Sequence, residues 1–293
     1  MPGSDVAVVT PALLRGWALP EPGGDKEARG ELLVVGGSRR TPGAVRLAGE
    51  AALRAGGGKL RLATVASMSA QLAVAVPEAM VLGLPEDAAG QLAVEGAEEV
   101  VSAAATAAVV LLGPGFADPQ ASVRLLAEIV PRLESTVVVD ALASAYVTEK
   151  PEGLRHLDGR VVLTLNPNEL AHIAGQDQGD VREDPLRAAV AIAERCRAVV
   201  VCGGRQKLVV APDGARWVVQ GGGPGLGISG SGDVQSGIVS GLLARGAEPA
   251  QAAVWGAYLH ARTGERLAAS VGTVGYLARE LPGEVPPVLA ELR

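Results

Sequence analysis

The stretch ELLVVGGSRRTPGAVRLAGEAALRAGGGKLRLATV, residues 31–65, contains two strand-like runs on either side of a helix-like run. The runs at 31–37 and 59–65 are mainly apolar rather than alternating, which is typical of strands buried on both faces of a sheet. Residues 43–56 between them are helix-like and follow a loop that contains glycine. This order predicts parallel strands of one sheet with a helix packed on its face.

The same alternation continues along most of the chain. Asp213-Gly214 lies between two strand-like runs within 207–220 and predicts a hairpin turn, after which only helices are expected, at 233–245 and from near Pro249. Further strands are expected at 79–84, 108–115, 136–140, 160–166 and 198–204, and further helices at 118–133 and 184–196. We therefore predict an α/β fold, a three-layer, doubly wound, mostly parallel sheet with helices on both faces.

All of residues 1–293 are expected to form a single domain, because 48% of the side chains are hydrophobic and α/β domains often reach this size. The first residues, about 25, are rich in Pro and Gly and are expected to be loosely held. The two cysteines, Cys196 and Cys202, are expected to be buried and reduced.

Charge and composition argue against several partners. A net charge of -6 and an aromatic content of 2% disfavour a nucleic-acid surface, and the longest uncharged run is interrupted by Gly113-Pro114-Gly115, which disfavours a membrane span. The N-terminus has no signal-peptide pattern, so a cytoplasmic location is expected. His156, His172 and His260 lack metal-ligand spacing and are expected to have structural or surface roles.

Polar and glycine clusters follow the predicted strands, at the sheet edge where such folds bind ligands. These clusters are Gly36-Gly37-Ser38, Gly113-Pro114-Gly115, Asp140, Asn166-Pro167-Asn168-Glu169 and Gly203-Gly204. We therefore expect a binding site at the carboxyl ends of the strands.

The stretch GISGSGDVQSGIVSGLLARG, residues 227–246, places a glycine-rich turn before a helix. The backbone N–H groups of Gly230, Ser231 and Gly232 are expected to form an anion cradle suited to phosphate. Asp233 is expected to be held ionised by the helix dipole and to accept the proton of a substrate hydroxyl that is being phosphorylated. The alternative is that Asp233 only caps the helix. A G-x-G-x-x-G match at 225–230 is rejected as a dinucleotide site, because a second helix follows instead of a strand.

Two other segments have alternative interpretations. Asn166 and Glu169 are close enough in sequence to face one Mg²⁺-phosphate group through water, but an asparagine here also serves as a helix cap. The loop at Gly43-Ala44 either approaches a ligand or is an ordinary connection between strand and helix.

The chain resembles the ribokinase-like superfamily and, within it, the ADP-dependent NAD(P)H-hydrate dehydratases, over nearly all of residues 11–290. The resemblance rests on DKEARGELLVVGGS, GAVRLAGEAALRAGGGKLRLAT, PEAMV, GPG, GISGSGDVQSGIVSGLLARG and VGTVGYLARELP, which occur in the family's order. SGSGDVQSGIVSGLLARG is the most specific piece, since G-x-G-D alone indicates only the superfamily. The substrate that the resemblance implies is NADH or NADPH to which water has added across a nicotinamide double bond. It also implies that ADP phosphorylates the new hydroxyl group and that elimination of phosphate then restores the ring. ADP or ATP as co-substrate, Mg²⁺ and a homo-oligomer such as a tetramer are implied with it.

The resemblance also implies residue roles. Asp233 matches the catalytic base, Gly232 a nucleotide-binding glycine, and Ala44 and Gly115 positions that line the hydrate. Asn166 stands where the family has a substrate-binding histidine. The segment that matches the nucleotide-binding K-G-x-x-T motif is Gly203, Gly204, Arg205, Gln206 and Lys207.

Several positions depart from the family pattern. The K-G-x-x-T motif has lost its Lys and Thr, and Lys207 is expected to supply the missing positive charge. The family's D-A-D motif is Asp140-Ala141-Leu142, which lacks the second acid. Two alternatives are therefore kept. One is a ribokinase-like small-molecule kinase, because Asn166-x-x-Glu169 resembles an element of such kinases, and the other is a nucleotide-binding protein with little catalysis.

Overall fold

The described strands form one mixed sheet in a computed structural model, which describes residues 6–204 and 206–292. The strands are β1 (Ala7–Val8), β2 (Glu31–Val35), β3 (Lys59–Val65), β4 (Ala79–Leu84), β5 (Val109–Leu112), β6 (Thr136–Asp140), β7 (Val161–Leu165), β8 (Val199–Cys202), β9 (Lys207–Val210) and β10 (Arg216–Val219). Their order across the sheet is β1-β10-β9-β8-β7-β6-β5-β2-β3-β4. Only β9 runs antiparallel to its neighbours in the part of the chain described, so the prediction of a mostly parallel sheet is confirmed.

Helices cover both faces of this sheet, as the sequence predicts. The α-helices are α1 (Pro11–Gly16), α2 (Gly43–Arg54), α3 (Ala66–Ala75), α4 (Ala97–Ala104), α5 (Pro119–Ile129), α6 (Ser144–Glu149), α7 (Pro167–Ala174), α8 (Gln178–Glu183), α9 (Pro185–Cys196), α10 (Ser231–Ala244), α11 (Pro249–Ser270) and α12 (Leu281–Glu291). Alternate strand residues face opposite sides, so Leu33 and Val35 pack with α4 to α9 while Leu32 and Val34 pack with α1, α2 and α10 to α12. No helix in the described ranges combines the length and apolar character needed to cross a bilayer.

The predicted hairpin is confirmed. β9 and β10 pair antiparallel, and the Oδ1 atom of Asp213 accepts a hydrogen bond of 3.0 Å from the backbone N–H of Ala215 in the turn between them. Cys196 and Cys202 are buried free thiols, also as expected.

The described part of the N-terminal segment is attached to the domain surface. β1 extends the sheet beside β10, Leu14 is fully buried, and the rings of Trp17 and Trp217 stack with centroids 5.7 Å apart. The Trp17 carbonyl oxygen accepts a 2.9 Å hydrogen bond from Trp255 Nε1. This differs from the expected loosely held segment, because a few large apolar side chains anchor it despite its Pro and Gly content. Residues 1–5 lie outside the described range, and the single-domain assignment for residues 1–293 stays a prediction.

Helix α10 packs against α2 at a very short distance, and this contact positions the glycine-rich turn. A Cβ atom added to Gly237 or Gly241 would collide with the carbonyl oxygen of Ala48 or Ala52 on α2. Nearly every α10 residue after Asp233 is buried. The helix is therefore held rigidly on both sides, and its N-terminus points to the carboxyl ends of the strands.

Candidate active site

A cavity of about 830 Å³ lies at the carboxyl ends of β6, β7 and β8, next to the start of α10. This volume is in the range of small-molecule sites. The sequence-predicted residues in its wall are Asn166, Glu169, Gly203, Gly204, Lys207, Gly230, Ser231, Gly232 and Asp233, together with Asp140. The fold thus brings residues from four separate segments to one place.

Ala44 and Gly115 are not among the residues that line this cavity. They are neighbours, because a Cβ atom added to Gly115 would lie 3.0 Å from the Ala44 Cβ atom. Leu47, one turn further along α2, lies against Gly230. The first turns of α2 therefore connect the predicted hydrate-lining pair to the glycine-rich turn.

The glycine-rich turn presents the start of α10 to the cavity. Gly230 is the N-cap residue with φ +90°, a left-handed conformation that glycine adopts without strain, and no side chain caps the helix. The Ser231 N–H donates to the Ile228 carbonyl oxygen at 3.2 Å and is already used. Gly232 and Asp233 occupy the second and third helical positions, so their N–H groups have no helical acceptor. The predicted anion cradle therefore does not offer three consecutive free N–H groups, because the Ser231 N–H already has an acceptor.

Asp233 is half-buried and does not cap the helix. Burial, together with the negative charges of Asp140 and Glu169, raises the pKa of Asp233 to about 7. This shift acts against the helix dipole, which favours the ionised carboxylate. A carboxyl group with a pKa near 7 is suited to gain and lose a proton at neutral pH.

Asp140 is a second carboxyl group in the cavity, at the end of β6. Its Oδ1 atom accepts a 2.8 Å hydrogen bond from Thr164 Oγ1, and its Oδ2 atom accepts one of 3.0 Å from Ser236 Oγ. Burial raises the pKa of Asp140 to about 6, although both hydroxyl donors act in the opposite direction. The two hydrogen bonds fix the Asp140 carboxylate and connect β6, β7 and α10.

Asn166 caps α7, as one of the two sequence interpretations has it. Its Oδ1 atom accepts from the N–H groups of Asn168 (2.9 Å) and Glu169 (3.0 Å), and Glu169 Oε2 accepts from the Asn166 N–H at 2.8 Å. Burial and the Asp140 charge raise the pKa of Glu169 to about 7. The cap leaves Asn166 and Glu169 in the cavity wall, so the capping and ligand-facing roles are compatible.

Within residues 6–204 and 206–292, no three His, Cys, Asp or Glu side chains are placed to hold a metal ion together. Mg²⁺ usually takes one or two protein carboxylates and fills its coordination with phosphate oxygens and water. The carboxyl groups of this cavity fit a Mg²⁺ ion that is shared with a phosphate group, and they do not fit a closed site made only of protein ligands.

Lys207 is buried at the inner side of the cavity. Its Nζ atom lies 2.6 Å from Gln235 Oε1 and 2.7 Å from His260 Nδ1, and His260 Nε2 lies 3.0 Å from Ser231 Oγ. Burial lowers the pKa of Lys207 to about 7. Of the other predicted residues in this segment, Gln206 is exposed and outside the cavity wall, and Arg205 lies outside the described residues.

The sequence did not indicate four residues of the site, namely His260, Gln235, Thr164 and Ser236. Gln235 and Ser236 lie two and three positions after Asp233, and their polarity in a mainly apolar helix was an available signal. Thr164 and His260 lie in mainly apolar elements far away in sequence, where a single polar residue has many possible explanations. His260 is buried in the cavity wall, and this structural position agrees with one of the two roles expected for it.

Comparisons with known proteins agree with this architecture. The family model of NAD(P)H-hydrate dehydratase matches residues 32–287. The ADP-dependent (S)-NAD(P)H-hydrate dehydratase of Xanthomonas campestris pv. campestris is 46% identical over 292 residues, which cover 100% of this chain and 99% of that protein. Bifunctional NAD(P)H-hydrate repair enzymes also match, and this chain spans about half of their length.

Two solved structures share the fold. The ADP/ATP-dependent NAD(P)H-hydrate dehydratase of Bacillus subtilis, co-crystallised with ATP and Mg²⁺, has a TM-score of 0.83 at 24% identity, covering 99% of this chain and 100% of that one. A ribokinase-like superfamily protein of Enterococcus faecalis has a TM-score of 0.82 at 21% identity, covering 100% and 98%. These likenesses confirm the predicted ribokinase-like fold. With the family match and the full-length relative, the chain belongs to the NAD(P)H-hydrate dehydratase family.

Proposed function

We propose that this chain is an ADP-dependent NAD(P)H-hydrate dehydratase, which repairs a nicotinamide cofactor that has been hydrated in its reduced ring. The observation that carries the proposal is Asp233, a half-buried carboxyl group with a pKa of about 7 at the start of a glycine-led helix in a large cavity. The full-length likeness to the Xanthomonas enzyme supports the same activity.

The proposed reaction has two steps. First, the hydroxyl oxygen of the hydrate bonds to the terminal phosphorus of ADP, AMP leaves, and Asp233 accepts the hydroxyl proton. Second, the carbon–oxygen bond to the new phosphate breaks, phosphate leaves, and the neighbouring ring carbon loses a proton to restore the double bond. The products are NAD(P)H, AMP and phosphate.

We assign the nucleotide phosphates to the start of α10, where the N–H groups of Gly232 and Asp233 have no helical acceptor. The hydrate would lie between Asp233 and the surface formed by Ala44 and Gly115, with Asn166 at its edge. The nucleotide-binding residues in this proposal are Gly203, Gly204, Gly230, Ser231 and Gly232. The assignments of Arg205, Gln206 and Lys207 as nucleotide-binding stay predictions from the sequence. Mg²⁺ bound with the nucleotide would offset phosphate charge, and Glu169 is the carboxylate that would face it through water. The cytoplasmic location and the homo-oligomer stay predictions from the sequence.

The proposal is tested by measuring recovery of reduced-nicotinamide absorbance from purified NADH hydrate or NADPH hydrate with ADP, ATP or no nucleotide. We expect recovery only with a nucleotide, together with one phosphate released for each cofactor restored. An inactive wild-type protein that folds and binds ADP would contradict the dehydratase assignment.

A small-molecule kinase is the second candidate, and Asn166-x-x-Glu169 in the cavity wall is the observation that favours it. A kinase leaves the phosphate on its product and releases none. Incubation with ATP, the hydrate and other small hydroxyl compounds, followed by measurement of free phosphate and phosphorylated product, separates the two activities.

A further inference from the structure

Four buried polar side chains connect strand β9 to the first residue of α10. Lys207, Gln235, His260 and Ser231 are each 7% exposed or less, and all four belong to the cavity wall. The contacts run from Lys207 Nζ to Gln235 Oε1 (2.6 Å) and His260 Nδ1 (2.7 Å), and from His260 Nε2 to Ser231 Oγ (3.0 Å). They form a continuous hydrogen-bonded path from a lysine to the glycine-rich turn.

The chemistry of these groups fixes the direction of the hydrogen bonds. A protonated lysine nitrogen has no lone pair and can only donate, so His260 Nδ1 is the acceptor when Lys207 carries its proton. Burial and the neighbouring Lys207 lower the pKa of His260 well below its ordinary value, so the ring is neutral and carries one N–H. That N–H must be on Nε2, where it donates to Ser231 Oγ. The Ser231 hydroxyl hydrogen is then available to a group in the cavity.

The direction of the path is set by the protonated form of Lys207, which donates to both Gln235 and His260. Burial lowers the pKa of Lys207 to about 7, so the protonated form is present at and below neutral pH. Among the ion pairs formed by the described residues, none involves Lys207. Its side chain reaches the turn only through His260 in these contacts.

Ser231 has only its side chain to offer a ligand as donor, because its backbone N–H is bonded to the Ile228 carbonyl oxygen. A hydroxyl that already accepts from His260 is oriented as a donor, and a phosphate oxygen at a helix start is an acceptor that matches it.

We propose that Lys207 and His260 are positioning residues that set the His260 tautomer and thereby hold the Ser231 hydroxyl as a hydrogen-bond donor to a nucleotide phosphate. This inference rests on the proposed nucleotide site. It replaces the expectation that Lys207 itself contacts the phosphate as a substitute for the missing motif lysine.

A double-mutant cycle on ADP binding tests the proposal. Ser231→Ala should weaken ADP binding about tenfold or more, the size expected for a lost hydrogen bond to a charged group, and Lys207→Met should weaken it similarly. The double variant should bind ADP no more weakly than Ser231→Ala. If Lys207→Met weakens ADP binding equally in the wild type and in Ser231→Ala, Lys207 contacts the phosphate directly and the proposal is overturned. Unchanged ADP affinity in Ser231→Ala would also overturn it.

A second arm does not depend on Lys207 variants being folded. The amide of His260→Gln reaches the Nε2 position and can still donate to Ser231, whereas His260→Asn keeps only the Nδ1 position near Lys207. We expect ADP binding to be retained better by the Gln variant, with thermal unfolding measured for both, and the reverse order would contradict the proposed path.

A spectroscopic readout adds a signature that a purely structural role would not produce. The chain has three histidines, so the ¹⁵N signals of His260 can be assigned by substitution. The wild type should show the Nε2–H tautomer alone, and an Nδ1–H tautomer would overturn the inference. A wild-type protein that binds neither ADP nor ATP would refute both the nucleotide site and the hydrogen-bonded path. If the wild type binds ADP but Ser231→Ala and Lys207→Met weaken binding independently of each other, only the path is refuted.

Discussion

Asp140 and Ser236 are 96 positions apart in sequence, yet the Ser236 hydroxyl donates a 3.0 Å hydrogen bond to the Asp140 carboxylate. The same Oγ atom lies 3.1 Å from the carbonyl oxygen of Asp233, so it connects the end of β6 to the first turn of α10. This contact keeps the Asp140 and Asp233 carboxyl groups close enough for the charge of one to raise the pKa of the other. The predictions for catalysis and pH dependence follow from this arrangement.

The Asp233→Asn variant should lose about 10²–10⁴-fold in kcat, the usual contribution of a positioned general base. ADP affinity should change little, because asparagine keeps the size of the side chain. Turnover of the hydrate and calorimetric ADP binding measure the two effects. Asp184→Asn is a matched control at a helix N-cap outside the cavity wall, where the side chain accepts from Arg187 N–H. Near-wild-type turnover in Asp233→Asn would remove Asp233 from the catalytic role.

The rate of hydrate turnover should rise with pH through about 7, because Asp233 acts as a base only when it is ionised. Removing the negative charge of Asp140 stabilises the ionised form of Asp233, so Asp140→Asn should shift this rise to lower pH. A pH profile of kcat for both proteins tests the shift. A shift to higher pH, or none, would mean that the two carboxyl groups do not interact.

Asp233 should reduce the stability of the protein at neutral and alkaline pH. The folded-state pKa of about 7 lies above the ordinary value of 3.8, so folding opposes ionisation of this group. The destabilisation is absent below about pH 4, grows between about pH 4 and 7, and is complete above that range. Asp233→Asn should therefore be more stable than the wild type at about pH 8 by on the order of 1–3 kcal/mol, with almost no difference at about pH 4. Urea unfolding at both pH values measures this, and a pH-independent difference would contradict it.

Gly237→Ala should destabilise the protein by about 1–3 kcal/mol or more, because the new methyl group would collide with the Ala48 carbonyl oxygen on α2. Gly283→Ala is the matched control, since a Cβ atom at this helical position has no neighbour within 4 Å. The control should be neutral or slightly stabilising, because alanine favours the helix. Thermal unfolding compares the two, and equal stabilities would mean that α10 and α2 can separate without cost.

The sequence determined the order and type of most elements, because those signals are local. Mainly apolar runs indicate strands buried on both faces, Asp213-Gly214 specifies its turn, and Gly230 permits the left-handed residue before α10. Parallel strands place their carboxyl ends at one edge of the sheet, so the position of the cavity at that edge could also be predicted from the strand pattern.

Tertiary structure alone decided the chemistry within that edge. Lys207 and His260 are 53 positions apart, and their contact depends on how α11 packs over β9. The pKa of Asp233 likewise depends on which groups exclude water from it and on the charges of Asp140 on β6 and Glu169 on α7. The N-terminal segment is held by the stacking of Trp17 on Trp217, a long-range contact that its Pro and Gly content did not indicate. Desolvation and long-range contacts are properties of the packed chain, whereas periodicity and turn chemistry belong to short segments of sequence.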